Sequence, residues 1–309
     1  MTGARVAAVD MGTNSTRLLV AEVDGERLHT LDRRMRITRL GQGVDASRRL
    51  HPEAIDRVVA ALDEFRGAID ELGATRVRAV TTSAARDAEN SAELLDRCET
   101  SLGVRPEVIA GSEEGQLSFR GATLEIGDPA PYLVVDIGGG STELIVGVDG
   151  PESVISLDIG CVRLTEQFLH GDPPAPEELS NAVAYVRDTL SDADRALAGV
   201  DGAKTLVGLA GTVSTLAAVE LGLAEYDRDK VHHFRLGRDM VEDIFRTLAT
   251  EAIAQRAHNP GLDPGRVDVI VGGVLIAACV MRHWNFDEML VSESDILDGI
   301  ALALAAAAT

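Results

Sequence analysis

Two stretches of sequence that copy each other decide the fold: VDMGTNSTRLLVAEVDG at residues 9–25 and VDIGGGSTELIVGVDG at residues 135–150. An offset of 126 residues aligns Asp10 in the first copy with Asp136 in the second. In each copy an apolar strand runs into a tight Asp-x-Gly turn, and a second apolar, partly β-branched run follows. Because no helix follows the glycines directly, each copy is predicted to be a β-hairpin with a polar tip, not a dinucleotide-binding motif or a P-loop.

The separation of the two copies bears on domain organisation. Solenoid repeats have periods of roughly 20–50 residues, so an offset of 126 residues indicates two related halves instead. The length of 309 residues also suggests two domains. We expect an α/β protein with domain I at residues 1–126 and domain II at residues 127–291, and a terminal helix at 292–309 that packs back on domain I.

Between the copies, short apolar strands alternate with amphipathic helices, which is typical of α/β folds. Ser112 is expected to cap a helix that begins at Glu113. The other predicted segments are a strand at 77–82 followed by one helix at 83–103, a short strand at 106–110, a strand at 205–210 before a helix opened by Gly211-Thr212, a strand at 267–271 before a helix opened by Gly272-Gly273, a helix at 176–197, and a strand at 289–291.

Composition excludes several classes of protein. The chain has 29 Lys and Arg against 50 Asp and Glu, a formal net charge of −21, and such a field repels nucleic acids and anionic membranes. Three cysteines far apart, Cys98, Cys161 and Cys279, make neither a disulfide framework nor a cysteine metal site and fit a reducing cytoplasm. The longest apolar run, residues 269–281, is too short to span a bilayer, and no signal peptide is recognised.

The hairpin tips are the first candidate for chemistry. Glycine-rich turns leave backbone N–H groups uncovered, so the tips are predicted to bind phosphate; two ordinary hairpin turns are the alternative. The duplication, with an aspartate before each turn, favours phosphate. The predicted phosphate-binding residues of the tips are Gly12, Thr13, Asn14 and Ser15 in the first copy and Gly138, Gly139, Gly140, Ser141 and Thr142 in the second.

Acidic residues flank these tips and predict a divalent metal. Carboxylates beside a phosphate repel it unless a cation lies between, and Mg²⁺ commonly uses one or two carboxylates with water and phosphate oxygens. Asp10, Asp136 and Glu143 are the predicted ligands, with turn capping as the alternative for both aspartates. Arg17 in the first copy aligns with Glu143 in the second; it is predicted to grip phosphate, or else to be a solvated strand residue.

Glu113 and Glu114 follow a predicted strand and open a helix. Acids in a first helical turn complement the helix dipole, which is the alternative to a general base at the end of a strand. Ser83, Arg86, Gly211 and Thr212 lie at strand-to-helix turns and are further phosphate candidates.

Two other groups of side chains remain ambiguous. Arginines are densest at residues 33–39, where they either steer an anion or form a solvated strand face. His232 and His233 are expected to point to opposite faces of a strand, which predicts no metal pair.

Seven segments in order resemble the exopolyphosphatase / guanosine pentaphosphate phosphohydrolase family, within the actin / sugar kinase / Hsp70 ATPase superfamily. The resemblance covers essentially the whole chain and implies two ribonuclease-H-like domains with the active site in the cleft between them. The segments are VAAVDMGTNSTRLLV, TSAARDAEN, AGSEEGQLSFRGA, VVDIGGGSTELIV, SLDIGCVRLTE, LAGTVSTLAA and RVDVIVGG.

The resemblance also implies a reaction, the Mg²⁺-dependent hydrolytic release of the terminal phosphate of polyphosphate or of guanosine pentaphosphate. The family's proposed general base falls on Glu114, and its acids associated with metal and water fall on Asp136 and Glu143. Arg17 and Arg266 match arginines that contact the ligand. One departure concerns Asp295-Ile296-Leu297-Asp298-Gly299, which replaces a more usual GLREG pattern and leaves out an arginine.

Two other functions are carried as alternatives. A sensor would bind guanosine tetra- or pentaphosphate without useful turnover, which the altered segment at 295–299 motivates. A kinase of the same superfamily would use ATP, which the acidic Glu143 beside the second turn argues against. The sequence leaves the oligomeric state open, and a homodimer is one of the states considered.

Overall fold

The computed structural model describes residues 3–307, which fall into two compact units. Unit 1 consists of residues 3–125 together with 295–307, and unit 2 is Ile126–Ser294. The domain boundaries predicted from the sequence lie after residues 126 and 291. In the structure the corresponding boundaries lie after Glu125 and after Ser294. Unit 2 is therefore inserted into the sequence of unit 1.

Each unit is built on one sheet. The sheet of unit 1 has the strand order β3-β2-β1-β4-β5, and that of unit 2 has the order β8-β7-β6-β9-β11-β10. The strands, numbered along the chain, are β1 Ala4–Met11, β2 Ser15–Asp24, β3 Arg27–Ile37, β4 Arg76–Thr81, β5 Glu107–Val108, β6 Tyr132–Ile137, β7 Thr142–Gly147, β8 Pro151–Leu157, β9 Thr205–Leu209, β10 Arg235–Gly237 and β11 Glu288–Val291.

Helices connect the strands in both units. A single 3₁₀ turn at Val200–Gly202 precedes β9. The α-helices are α1 Val44–Ser47, α2 Pro52–Glu71, α3 Ser83–Asp87, α4 Ser91–Leu102, α5 Gly111–Ala122, α6 Cys161–Phe168, α7 Pro176–Ala193, α8 Ala210–Glu220, α9 Arg228–Val231, α10 Arg238–Thr250, α11 Ile253–Arg256, α12 Ile270–His283 and α13 Ile296–Ala306.

Both copied stretches form the predicted antiparallel hairpins, β1-β2 and β6-β7. In the register of the first, Asp10 lies opposite Arg17, and in that of the second, Asp136 lies opposite Glu143. Each hairpin gains a third antiparallel strand on one side, and on the other side its first strand pairs in parallel with the strand of the next βα unit. The two sheets thus share one arrangement, which confirms the predicted α/β fold class of two related halves.

Apolar side chains cover both faces of the sheet in unit 1. Ala7 and Val9 face a core shared with α2 and α4, whereas the alternate residues Val6 and Ala8 face a second core shared with α5 and α13. Strand residues alternate between faces, so β1 is buried on both sides. Unit 2 has one large core that includes the buried helix α12.

The predicted strand at 267–271 is wrong, because α12 already begins at Ile270 and no strand precedes it there. Almost every residue of α12 is buried, so its sequence is apolar all round and has neither a 2-residue nor a 3.6-residue period. Periodicity cannot separate a buried strand from a buried helix in such a run.

Three other predicted boundaries differ from the structure. The single helix at 83–103 is two helices, α3 and α4, separated at residues 88–90. Helix α5 begins at Gly111 with Ala110 as its N-cap, so Ser112 is a helical residue and not the cap. The strand at 106–110 is reduced to the two residues of β5.

Helices α5 and α13 cross at two glycines in unit 1. A Cβ on Gly121 would lie 1.9 Å from the carbonyl oxygen of Asp295, and one on Gly299 would lie 2.1 Å from that of Leu117. Backbone rather than flexible side chain lies at both contacts. The close approach sets the position of the N-terminus of α13 on α5.

A Gly→Ala substitution at this crossing and one away from it, in α2, are expected to have opposite effects on stability. Gly121→Ala is expected to destabilise the protein by about 3 kcal/mol, since the added methyl group meets backbone. Gly67→Ala, in α2 with no atom within 4 Å of the new Cβ, is expected to stabilise it by about 0.5–1 kcal/mol. Urea unfolding of both variants measures the difference, and equal effects would contradict the tight crossing.

Candidate functional site

The tip of the second hairpin is folded so that its carbonyl groups are used internally. Gly138 N–H donates to the carbonyl of Ser141 at 3.0 Å and closes the turn. The carbonyl of Gly138 accepts from Cys161 N–H at 3.0 Å, and that of Gly139 accepts from Val162 N–H at 2.8 Å, both in the first turn of α6. The start of α6 therefore fixes the tip from the carbonyl side.

The amide groups of this tip are left to other partners. Within residues 3–307, the N–H groups of Gly139 and Gly140 donate no hydrogen bond to the protein. A Cβ on Gly160 would lie 2.4 Å from the carbonyl oxygen of Gly139, so the tip needs glycine at this neighbouring position. Uncovered amides on a fixed glycine turn form the kind of site that binds phosphate oxygens.

The tip of the first hairpin has the same construction. Gly12 N–H donates to the carbonyl of Ser15 at 2.9 Å. The carbonyl of Asn14 accepts from Thr38 N–H at 3.0 Å, and that of Thr13 accepts from Gly41 N–H at 2.8 Å. The segment after β3 thus holds the first tip as α6 holds the second.

Side chains add polar groups to the first tip. Thr13 Oγ1 lies 2.8 Å from Ser83 Oγ. This hydrogen bond connects the first tip to the turn between β4 and α3. Asn14 Nδ2 is buried and has no hydrogen-bond partner among the described residues. A buried donor without a partner is costly, and a bound phosphate oxygen would satisfy it.

Asp10 and Arg17 face each other across β1 and β2 and form an ion pair. Arg17 Nη2 lies 2.7 Å and Nε 3.1 Å from Asp10 Oδ2, and Nη1 donates to Asp295 Oδ2. Asp295 is the N-cap of α13, where its Oδ1 accepts from Leu297 N–H at 3.0 Å. The predicted phosphate ligand Arg17 is therefore shared by two carboxylates in unit 1.

A second arginine extends this arrangement. Arg33 Nη2 lies 2.8 Å and 2.6 Å from the two carboxylate oxygens of Asp298, and its Nη1 lies 3.8 Å from Asp295 Oδ1. Asp298 Oδ2 also accepts from Asp295 N–H at 2.9 Å. We call Asp10, Arg17, Asp295, Arg33 and Asp298 the buried charge network.

Burial and mutual attraction shift the pKa values of the buried charge network in opposite directions. Burial raises the pKa of Asp10, and the charge of Arg17 opposes the rise only in part. Burial also acts on Asp295, but the charges of Arg17 and Arg33 outweigh it and lower the pKa of this carboxyl group. Asp10 Oδ1 is buried without a hydrogen-bond partner among the described residues, so one oxygen remains for a cation or a donor.

The arginine-rich stretch at residues 33–39 mostly forms internal ion pairs. Arg33 is buried against Asp298, while Arg34 and Arg36 both bind Glu64, at 3.1 Å and 2.6 Å. The solvated strand face describes Arg34 and Arg36, whose ion pairs with Glu64 lie at the surface, whereas Arg33 is largely covered by its contact with Asp298. The acidic partners on α2 and α13 are distant in sequence, which is why local reading missed them.

Two carboxylates occupy the corresponding position in unit 2. Asp136 lies opposite Glu143 in the register of β6 and β7, and both residues are at least 94% buried. Glu143 Oε1 accepts from Ser156 Oγ at 2.7 Å. Like charges directly opposite on neighbouring strands destabilise a sheet, so this pair is chemically suited to a cation.

A magnesium ion fits this donor set. Within residues 3–307 no cluster of three or more His, Cys, Asp or Glu side chains is arranged to hold a metal. Mg²⁺ does not need one, because it commonly takes one or two carboxylates and completes its shell with water and phosphate oxygens. Asp136 and Glu143 would hold it in unit 2, and the unpartnered oxygen of Asp10 would be available in unit 1.

Glu114 lies in the first turn of α5 and is held by an arginine. Arg86 Nη1 donates to Glu114 Oε2 and to the carbonyl of Ile109, both at 2.9 Å. The Glu114 side chain is 13% exposed, whereas that of Glu113 is 46% exposed and lies 2.6 Å from Arg78. The two neighbouring glutamates are thus distinguished by their partners, and Arg86 contacts the candidate base.

In unit 2 the turn between β9 and α8 packs against Arg266. A Cβ on Gly211 would lie 2.0 Å from Arg266 Nη2, so the guanidinium group packs directly on the start of α8. Burial raises the pKa of the Cys161 thiol, while the charge of Arg266 and a hydrogen bond from Thr212 act against the rise. These interactions bring Thr212 and Arg266 to the N-terminus of α6, next to the second tip.

Backbone strain marks the same turn. Ala210, the first residue of α8, has φ of +66°, a left-handed conformation that costs free energy in a residue other than glycine. Such strain concentrates at functional sites, and the phosphate-binding role of Gly211 and Thr212 stays a prediction.

The expectation that His232 and His233 point to opposite faces of a strand is wrong. Their rings stack with centroids 3.8 Å apart, because His233 has φ of +62° and the pair lies in a turn before β10. His232 Nδ1 accepts from Glu293 N–H at 3.0 Å. Strand alternation does not apply in such a turn.

Of the helices within residues 3–307, none combines the length and the apolar character needed to cross a membrane.

Comparison with known proteins identifies close relatives of this chain. The model of the Ppx/GppA phosphatase family matches residues 19–306. Exopolyphosphatase 2 of Mycobacterium tuberculosis is 46% identical over 317 residues, which cover 97% of this chain and 98% of the relative. Among solved structures, an exopolyphosphatase-like protein has a TM-score of 0.94 at 40% identity, and an exopolyphosphatase from Cytophaga hutchinsonii has 0.88 at 27%; each match covers 98% of both chains.

Proposed function

We propose, for a chain that belongs to the Ppx/GppA phosphatase family of hydrolases, that its reaction is the Mg²⁺-dependent removal of the terminal phosphate of inorganic polyphosphate. The name and near full-length match of the M. tuberculosis relative support this substrate. Guanosine pentaphosphate is a further substrate in this proposal, because its phosphate chain presents the same terminal group.

The observation that carries the proposal is the asymmetry of two otherwise matching hairpins. Both tips hold their carbonyls internally and leave amides for phosphate oxygens. Opposite the aspartate at the base of each tip lies Arg17 in the first hairpin and Glu143 in the second. An arginine suits phosphate oxygens and a carboxylate suits a metal ion or water, so the two hairpins are equipped for different tasks.

The chain's own residues would then act as follows. The amides of Gly139 and Gly140 bind phosphate oxygens, and Asn14 Nδ2 donates to another. Glu114, held in place by Arg86, accepts a proton from the attacking water. The water oxygen bonds to the terminal phosphorus as the bond to the bridging oxygen breaks, and the shortened chain leaves with that oxygen.

Mg²⁺ held by Asp136 and Glu143 would neutralise charge on the phosphate oxygens. Phosphoryl transfer depends mostly on positioning and charge neutralisation, so no covalent intermediate with the protein is needed.

Phosphate release from purified protein tests the proposal. Short polyphosphate, long polyphosphate and guanosine pentaphosphate are each assayed with Mg²⁺ and with EDTA. We expect release from polyphosphate with Mg²⁺ and at least about 100-fold less with EDTA. Absence of release from every substrate, with the protein folded by circular dichroism, would contradict the proposed function.

A second candidate function is a sensor of guanosine tetra- or pentaphosphate without turnover. The observation that favours it is the pairing of Arg17 with both Asp10 and Asp295, which partly cancels the charge of a predicted phosphate ligand. Calorimetric binding of guanosine tetraphosphate, together with no phosphate release from any substrate above, would select the sensor.

A further inference from the structure

The buried charge network contains more negative than positive groups. Three carboxylates, Asp10, Asp295 and Asp298, share two guanidinium groups, Arg17 and Arg33. The side chains of all three aspartates are buried, with no more than 8% of any of them exposed. With every group ionised the network has a net charge of −1 in unit 1, directly beside the first phosphate tip.

Of the residues in the buried charge network, Arg17 is the one best placed to contact a phosphate bound at the first tip. It lies one residue pair from the tip, in the register where Met11 pairs with Thr16 and Asp10 with Arg17. Its side chain remains 18% exposed although two carboxylates bind it. An incoming phosphate therefore competes with Asp10 and Asp295 for the same guanidinium group.

The two competing carboxylates are not equivalent. Asp10 belongs to the hairpin itself and has its counterpart in Asp136 of the second hairpin. Asp295 comes from the N-cap of α13, 278 residues along the chain from Arg17. Asp295 is thus a negative charge that α13 adds to the Asp10–Arg17 pair of the first hairpin.

We propose that Asp295 is a specificity-determining residue that sets how strongly Arg17 attracts phosphate, and so limits the affinity of the site for highly charged phosphate chains. The proposal rests on the proposed function, since it takes the first tip as a phosphate site. Asp295 acts through Arg17 and does not itself touch the substrate.

Electrostatics sets the direction of the effect. Removing the charge of Asp295 changes the net charge of the network from −1 to 0 and leaves Asp10 as the network's carboxylate bound to Arg17. Removing one partly buried negative charge within several ångströms of a bound anion strengthens binding by roughly tenfold for a multiply charged anion and by less for an anion of lower charge. The gain must grow with the charge of the ligand, which a merely structural effect would not do.

The test uses the variants Asp295→Asn and Asp295→Ser, which remove the charge of Asp295 and retain an N-cap for α13. Both residues are good N-caps, so each keeps an oxygen for Leu297 N–H while the charge is lost. Glu64→Gln is the matched control, because it removes one negative charge from unit 1 at the surface ion pairs of Arg34 and Arg36. Thermal unfolding confirms that all variants are folded.

Calorimetric titration with tripolyphosphate and with inorganic phosphate, without metal, measures the effect. We expect both Asp295 variants to bind tripolyphosphate roughly tenfold more tightly than the wild type and inorganic phosphate only about threefold more tightly. Glu64→Gln is expected to change either affinity less than twofold. Unchanged or weaker binding by both Asp295 variants, or an equal gain for the two anions, would overturn the proposal.

Kinetics separates this proposal from the proposed function. If the wild type releases phosphate from polyphosphate, KM should fall in the Asp295 variants while kcat changes little or decreases through slower product release. Turnover by the wild type with no fall in KM overturns only the role of Asp295. No turnover by any variant overturns the proposed function, while the titrations still decide the role of Asp295.

Discussion

Replacing Glu114 by glutamine is expected to lower kcat for polyphosphate hydrolysis at least ~100-fold with little change in KM. The amide keeps the size of the side chain and can still accept from Arg86 Nη1, but it cannot take a proton from water. General-base assistance typically contributes about 10²–10⁴-fold. Initial rates of phosphate release across substrate concentration measure both constants.

The neighbouring glutamate supplies the control for this prediction. Glu113→Gln removes the same charge from the same helical turn, but Glu113 is bound to Arg78 and is far more exposed. We expect its kcat to stay within about threefold of the wild type. If the two variants lose activity equally, the first turn of α5 contributes only helix-dipole complementarity and Glu114 is not the base.

Replacing Glu143 by glutamine is expected to abolish most activity, by at least ~100-fold, and to change the response of stability to magnesium. In the wild type, Mg²⁺ should raise Tm because it binds the folded protein between facing carboxylates. Without metal, Glu143→Gln should be at least as stable as the wild type, since one of two opposed negative charges is gone. Thermal unfolding with Mg²⁺ and with EDTA measures both effects.

Glu152→Gln is the control for this prediction, because Glu152 is an exposed acid on β8 in the same unit. It should keep the wild-type activity and the wild-type rise of Tm with Mg²⁺. A Glu143→Gln protein that loses stability without metal, or that retains the full Mg²⁺ shift, would show that Glu143 is structural and not a metal ligand.

The two hairpins and their polar tips could be predicted from sequence because the information is local. Within each copy a short turn joins two apolar runs, which is the pattern of a hairpin. The register that places Asp136 opposite Glu143 is found in the structure. The duplication then doubles the signal. The tips needed no knowledge of distant residues to be recognised as glycine turns.

The partners of the predicted residues could not be found in this way. Arg17 pairs with Asp295, 278 residues away, and Arg33 pairs with Asp298, 265 residues away. Only the packing of α13 on the sheet brings these charges together. The spacing of Asp295 and Asp298 is a capping signal, three residues apart before an apolar run, but it predicts a helix start and not an arginine partner.

The predictions of a strand at 267–271 and of opposite orientations for His232 and His233 were wrong for different physical reasons. The residues of α12 are apolar on every side, so no periodic pattern distinguishes helix from strand. The stacking of His232 and His233 depends on one residue in a left-handed conformation, which a sequence pattern of strands does not foresee.

The insertion of unit 2 between the two parts of unit 1 has a consequence for synthesis on the ribosome. Nascent chains usually complete N-terminal domains first, but here α13, which packs on β1, β2 and α5, is translated only after all of Ile126–Ser294. Unit 2 is therefore free to fold co-translationally while β1 and β2 still lack one covering helix. Until Asp295 and Asp298 emerge, Arg17 and Arg33 have no counter-charges from α13 and the apolar face under that helix remains open to chaperones.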